Sequence, residues 1–157
     1  MKTYVMTELV DMEEIINKCK ICFVGVNDGD NYPYVFPMNF AYFNREIILH
    51  SAPTGLHIDL ISKNNLVSVT FCTEGKIVFQ HPDVACSYRM DSKSVICRGK
   101  VEFVDELTLK EELLNQLMSK YSDKKFTYSR PALLNVKLWK VKIHTMTAKA
   151  FGQKHIR

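Results

Sequence analysis

The groups best suited to chemistry lie between Pro33 and Ile61, in the stretch PYVFPMNFAYFNREIILHSAPTGLHIDLI. Its pattern predicts a strand broken near Pro37, a strand ending at His50 and Ser51, and a loop from Ala52 to Gly55 that opens a helix at Leu56. A glycine loop at a helix start leaves backbone N–H groups free and suits an anion such as phosphate. Ser51 and Thr54 add hydroxyl donors, and His57 adds a donor that can carry charge. A break at Pro37-Met38-Asn39 leaves backbone groups outside the ladder, where they can hydrogen-bond a flat heterocycle. The same residues also describe a hairpin, a capped helix and two incidental histidines. Spacing alone fits both readings.

Other familiar chemistry is missing. No G-x-G-x-x-G, Walker A, H-E-x-x-H or G-x-S-x-G pattern occurs. The five cysteines are Cys19, Cys22, Cys72, Cys86 and Cys97. An odd number without a secretion signal argues against a disulfide framework. Cys19 and Cys22 form one C-x-x-C, where a zinc site of this kind would need a second pair, so no metal is expected. The thiols are expected to be buried and reduced. His81 and His144 read as a loop residue and a solvated strand residue, and Trp139 as core or interface.

These groups must be positioned by short elements. Residues 7 to 20 predict a helix, with Met12, Ile15, Ile16 and Cys19 on one face and Asp11 with Glu14 as a capping box. Ile21 to Asn27, Tyr32 to Tyr42 and Glu46 to Ser51 predict three strands of a meander, turning at Asp28-Gly29-Asp30-Asn31 and Phe43-Asn44-Arg45. Leu56 to Lys63 predicts a short helix. Leu66 to Cys72 and Lys76 to Gln80 predict a hairpin around Glu74-Gly75, residues 81 to 93 are irregular, and Ser94 to Val104 returns to strand. Thr108 with Glu111 suggests a capping box for a helix whose stripe is Leu113, Leu114, Leu117, Met118 and Tyr121. The last strand spans about Leu134 to Thr147 and changes phase between Leu138 and Trp139, which predicts a bulge or burial on both faces. The result is a mainly β chain of six to seven antiparallel strands and about three helices, a barrel rather than a parallel sheet.

Composition sets the outer bounds. With 157 residues, 46% hydrophobic and 24% charged, the chain suits one globular domain over 1–157. No apolar run approaches membrane-helix length, and Met1 to Leu9 lacks a secretory pattern, so a cytoplasmic protein is expected. The net charge of +4 gathers partly at Lys137, Lys140, Lys142, Lys149, Lys154 and Arg157. No nucleic-acid motif accompanies it, and a phosphate-bearing ligand explains it as well.

The string Pro33-Tyr34-Val35-x-Pro37-Met38-Asn39-Phe40, then Ile47-x-x-His50-Ser51-Ala52-x-x-Gly55-x-His57, resembles the FMN-binding core of the nitroimidazole-resistance branch of the pyridoxamine 5′-phosphate oxidase-like superfamily. Ser94-Val95-Ile96-Cys97-Arg98-Gly99-Lys100-Val101-Glu102 resembles its S-V-x-x-x-G-x-x-E strand. The resemblance runs over about residues 5 to 150. It implies an antiparallel split β-barrel with flanking helices, forming a homodimer with FMN at the subunit interface. It implies that Pro37, Met38, Asn39 and Phe40 run beside the isoalloxazine ring, and that His50, Ser51 and Ala52 line the flavin and its ribityl chain. Gly55, His57 and Ile58 would hold the phosphate end, with Ser94 and Val95 approaching from the next strand.

Two departures stand out. Family members usually carry Lys where this chain has His57. The Arg-rich R-x-x-R-L terminus of the vitamin B6 oxidases has no counterpart in Gly152-Gln153-Lys154-His155-Ile156-Arg157. The implied activity is therefore flavin-dependent reduction of a small molecule, with nitroaromatics as one class and His50 as a substrate-side catalytic group. The rivals are a haem-binding or haem-degrading protein on the same fold, a non-catalytic FMN-binding protein and a deazaflavin-dependent relative.

Overall fold

Buried and exposed residues alternate along most strands of the computed structural model, which describes residues 3–29 and 32–152. Asp30, Asn31 and the terminal Gln153 to Arg157, named above for a turn and a tail, lie outside the described residues. The order is β1 (Thr3–Met6), α1 (Leu9–Lys18), β2 (Cys22–Asn27), β3 (Pro33–Met38), β4 (Ala41–Phe43), β5 (Glu46–Ser51), α2 (Leu56–Lys63), β6 (Leu66–Cys72) and β7 (Lys76–Val78). A 3₁₀ turn (Ala85–Ser87) leads into β8 (Arg89–Val104), followed by α3 (Leu107–Met118), α4 (Arg130–Leu134) and β9 (Lys137–Phe151). Every pairing is antiparallel, in the order β3-β2-β6-β8-β9-β5-β4, with β1 added to β9 and β7 to β8.

The two outer strands of that order, β3 and β4, are consecutive in sequence and separated by only Asn39 and Phe40. Two residues span at most about 7 Å. The sheet must therefore coil until its edges meet, yet no ladder joins them among the described residues. This is the expected split barrel.

Two cores hold it. The barrel interior collects Val24, Phe40, Leu49, Val69, Phe71, Val95, Cys97, Trp139 and Val141, closed by Met12, Ile15 and Ile16 of α1. A second cluster lies outside, where Leu114 and Leu117 of α3 and Leu133 of α4 cover Ala41, Ile48, Val104 and Leu138. Leu138 and Trp139 are adjacent and both fully buried, one in each cluster. Burial on both faces explains the phase change. A bulge also exists, further along: Gly99 pairs with Ile143 and Arg98 with Thr145, so β9 carries His144 as an extra residue. A Cβ at Gly99 would sit 2.3 Å from the Lys142 carbonyl oxygen, so this crossing requires glycine.

Several local expectations need correction. The run from Tyr32 to Tyr42 is two strands at opposite ends of the sheet, so no meander forms. β6 pairs with β2 and β8, and β7 pairs with β8, so the predicted hairpin around Gly75 is absent. Asp11 lies inside the first turn of α1 and is buried, and the N-cap is Glu8. Glu106 caps α3 instead of Thr108, accepting bonds from the N–H groups of Thr108 and Leu109 at 2.8 and 2.6 Å. α3 stops at Met118, before Tyr121. β1 and α4 bring the described total to nine strands and four α-helices. α4 begins at an N-capping Ser129 with Pro131 in its first turn, a start signal that is visible in the sequence.

Candidate functional site

The split between β3 and β4 is the centre of the site. Among the described residues β3 pairs only with β2, and β4 only with β5, so each has one edge of backbone donors and acceptors outside any ladder. Pro37 sits on such an edge, where its missing N–H costs no ladder bond. Pro37 and Asn39 are exposed, Met38 is half-buried, and Phe40 is fully buried against Phe71. Phe40 donates its N–H to the Tyr121 hydroxyl at 2.9 Å.

β5 carries the second group. His50 lies opposite Leu138 and Ser51 opposite Lys137 on β9. Ser51 donates to the Ala52 carbonyl at 2.9 Å. His50 has an exposed edge, yet desolvation by the surrounding protein lowers its pKa below the ordinary imidazole value.

Gly55 then opens α2 with φ +135°, a conformation that favours glycine. Its carbonyl accepts from Ile58 and Asp59 at 2.9 and 3.1 Å, while the amides of Leu56 and His57 precede the first intrahelical donor. Ile58 is buried. The His57 ring folds back over Gly55, where a Cβ would lie 3.2 Å from His57 Cε1. It packs against Phe36 of β3, ring centroids 5.5 Å apart, and stacks on Trp139 at 6.4 Å. His57 Nε2 and Trp139 Nε1 are both buried without a hydrogen-bond partner.

The contact between His57 and Phe36 joins the start of α2 to the strand that leads into the split. Ser94 and Val95 are not gathered here within one chain, because β2 and β6 separate β8 from β3. The Val95 side chain is in the barrel interior, and Ser94 is half-buried. Phe36, Trp139 and Tyr121 touch the candidate residues His57 and Phe40 but read in sequence as ordinary core or helix residues. Their signal is tertiary.

A family model for pyridoxamine 5′-phosphate oxidase matches residues 10–150. The chain belongs to this family. Within the pyridoxamine 5′-phosphate oxidase family, it is 45% identical to a candidate 5-nitroimidazole antibiotic resistance protein of Bacteroides thetaiotaomicron, with a TM-score of 0.88 over 96% of this chain and 88% of that one. A flavocytochrome of Azotobacter vinelandii superimposes with a TM-score of 0.82 at 13% identity, over 98% of this chain and 72% of that one. An FAD- and haem-binding protein of Mycobacterium smegmatis does so with 0.83 at 14%, over 100% and 77%. At these identities the last two show the fold alone. Comparison with curated proteins finds no match.

The residues present fit a flavin mononucleotide. The free edges at the split suit the rim of a flat ring. The opening of α2 and the unpartnered His57 Nε2 suit a phosphate.

Proposed function

We propose that this chain binds one FMN per subunit, works as a homodimer and reduces a small molecule, with nitroaromatics such as nitroimidazoles as the substrate class. The carrying observation is that two unpaired strand edges meet at Asn39 and Phe40, and that the His57–Phe36 contact ties this split to the glycine-opened α2. The similarity at 45% identity supports the substrate class.

Bound flavin would supply the electron transfer. The chain's own residues do the rest. Pro37 to Phe40 run beside the ring, with the exposed Pro37 and Asn39 presenting backbone groups to it and Phe40 anchored behind them. Ser51 and Ala52 border the ribityl chain. Gly55, His57 and Ile58 hold the phosphate end, and His50 stands on the substrate side.

The outer sheet face supports the dimer. Register aligns Pro37, Phe23, Thr70, Ile96 and Thr147 in one row across β3, β2, β6, β8 and β9. Phe23 and Ile96 are 45% and 39% exposed, and Val35 and Leu66 add to the same apolar face. An open groove of about 550 Å³ between Phe23, Gly25, Val35, Ser68 and Thr70 lies there too. This row begins at Pro37, so a partner seated on the face borders the flavin segment and can bring its own Ser94 toward it.

Reconstitution tests the reading. The purified chain, incubated with FMN and desalted, should retain and then release on denaturation one FMN per subunit, and light scattering should give twice 18.2 kDa. Phe23→Asp should give a monomer with weakened FMN retention. The loaded protein, reduced anaerobically, should be reoxidised by a nitroimidazole. No FMN uptake, or uptake without reoxidation, refutes the corresponding part.

A further inference from the structure

We propose that Tyr121 is a positioning residue for the ring side of this site: from beyond the end of α3, its hydroxyl stitches the crossing between β3 and β4, where no ladder joins the barrel wall among the described residues. The inference rests on the FMN reading above and adds a residue to it.

Phe40 lies where the chain crosses from one sheet edge to the other, so its peptide groups have no strand partner to pair with. Phe40 is fully buried, and a buried unpaired peptide group is costly. One phenol answers the first need and stands within reach of the second. Tyr121 Oη accepts the Phe40 N–H at 2.9 Å, and its single proton lies within reach of the Phe40 carbonyl at 3.0 Å and the Lys20 carbonyl at 2.8 Å. The two carbonyls compete for that proton, and the shorter contact, to Lys20, links the same point to the segment between α1 and β2.

The neighbouring residue holds the Phe40 side chain. Lys120 Nζ stands 4.2 Å above the centre of the Phe40 ring and donates to the Asn17 carbonyl at 3.1 Å. The ring also meets Phe71 edge-on, at 4.7 Å. Backbone and ring of Phe40 are thus both fixed. With Phe40 fixed, the orientation of the exposed Asn39 peptide beside it is fixed too. A ring docking against Asn39 then meets groups already aimed, which is where preorganisation contributes affinity. Tyr121 itself is anchored by its own N–H, which donates to the Met118 carbonyl at 2.9 Å.

The test compares Tyr121→Phe and Lys120→Met with Lys110→Met. Lys110 ties α3 to the Leu133 and Val136 carbonyls at α4 and the start of β9, so it serves as the control for lost stability. In the flavin-free protein, Tyr121→Phe should speed hydrogen exchange at the Phe40 amide, and Lys110→Met should not. In the loaded protein, Tyr121→Phe should shift the flavin absorption bands and the flavin midpoint potential. It should weaken FMN and riboflavin by the same factor, about ten-fold, because the change lies on the ring side and not at the phosphate. Lys120→Met should move the same readouts in the same direction by less, and it decides the matter if Tyr121→Phe does not fold. FMN binding by wild type with unchanged affinity, spectrum and potential in both variants overturns the role of Tyr121 and leaves the flavin reading standing. No FMN uptake by wild type overturns both.

Discussion

The imidazole of His57 stacks on the indole of Trp139, ring centroids 6.4 Å apart and planes 25° from parallel, and each ring keeps one buried nitrogen without a hydrogen-bond partner. A buried polar atom without a partner costs free energy until something satisfies it. A phosphate at the opening of α2 would give His57 that partner.

Binding measurements should show it. A charge-assisted hydrogen bond contributes roughly 1.5–3 kcal/mol, so His57→Ala should weaken FMN by about ten- to a hundred-fold. Riboflavin, which lacks the phosphate, should be weakened far less. His57→Lys should restore FMN affinity. Equal FMN affinities for wild type and His57→Ala would place the phosphate on backbone amides and hydroxyls alone.

His50 makes stability depend on pH. Its pKa is lowered by desolvation, so the unfolded chain binds a proton more readily than the folded one. Stability must then fall as pH drops through the ordinary histidine value, and level off below the depressed folded value. His50→Gln should lose less stability than wild type across that window. Urea titrations at several pH values check this, and parallel pH curves for the two proteins would contradict it.

The thiols should divide by burial. Cys22 and Cys97 are raised to about 12 by desolvation, and Cys19 is raised by the same cause. Reaction needs the thiolate, so these three should stay unreactive near neutrality. An aromatic disulfide reagent should label two of the five thiols in the native protein, the exposed Cys72 and Cys86, and all five after denaturation. Rapid labelling of Cys19 or Cys22 in the native state would show that the α1–β2 junction opens.

Gly99→Ala should be costly although it adds one methyl group. The new carbon meets the β9 backbone, 2.3 Å from the Lys142 oxygen and 3.0 Å from its carbonyl carbon, and neither is a flexible chain end. Overpacking of this kind costs about 1–3 kcal/mol, and here β8 and β9 must part to relieve it. Denaturant unfolding reads the loss. A neutral substitution would show that the bulge at His144 can move.

A mainly antiparallel barrel was legible in the chain itself, and the resemblance over residues 5 to 150 implied that it is split. Proline in a strand marks an edge or a break, glycine before Leu56 marks a loop that opens a helix, and the shift between Leu138 and Trp139 marks a bulge or a strand buried on both sides. Each of these is a local property, set by backbone sterics or by the side on which neighbouring residues point. What sequence could not reach was partner choice. β6 looks like half of a hairpin with β7, but the Val67, Val69 and Phe71 face lies inside the barrel, which puts β6 between β2 and β8. Glu106, not Thr108, caps α3, because a helix start can move by a turn with little local cost. Above all, nothing in the spacing of Phe36, His57 and Trp139, or of Phe40 and Tyr121, announces that they meet. Those contacts exist because the sheet must coil until β3 and β4 face each other across two residues, and only closure of the whole wall brings such distant positions together.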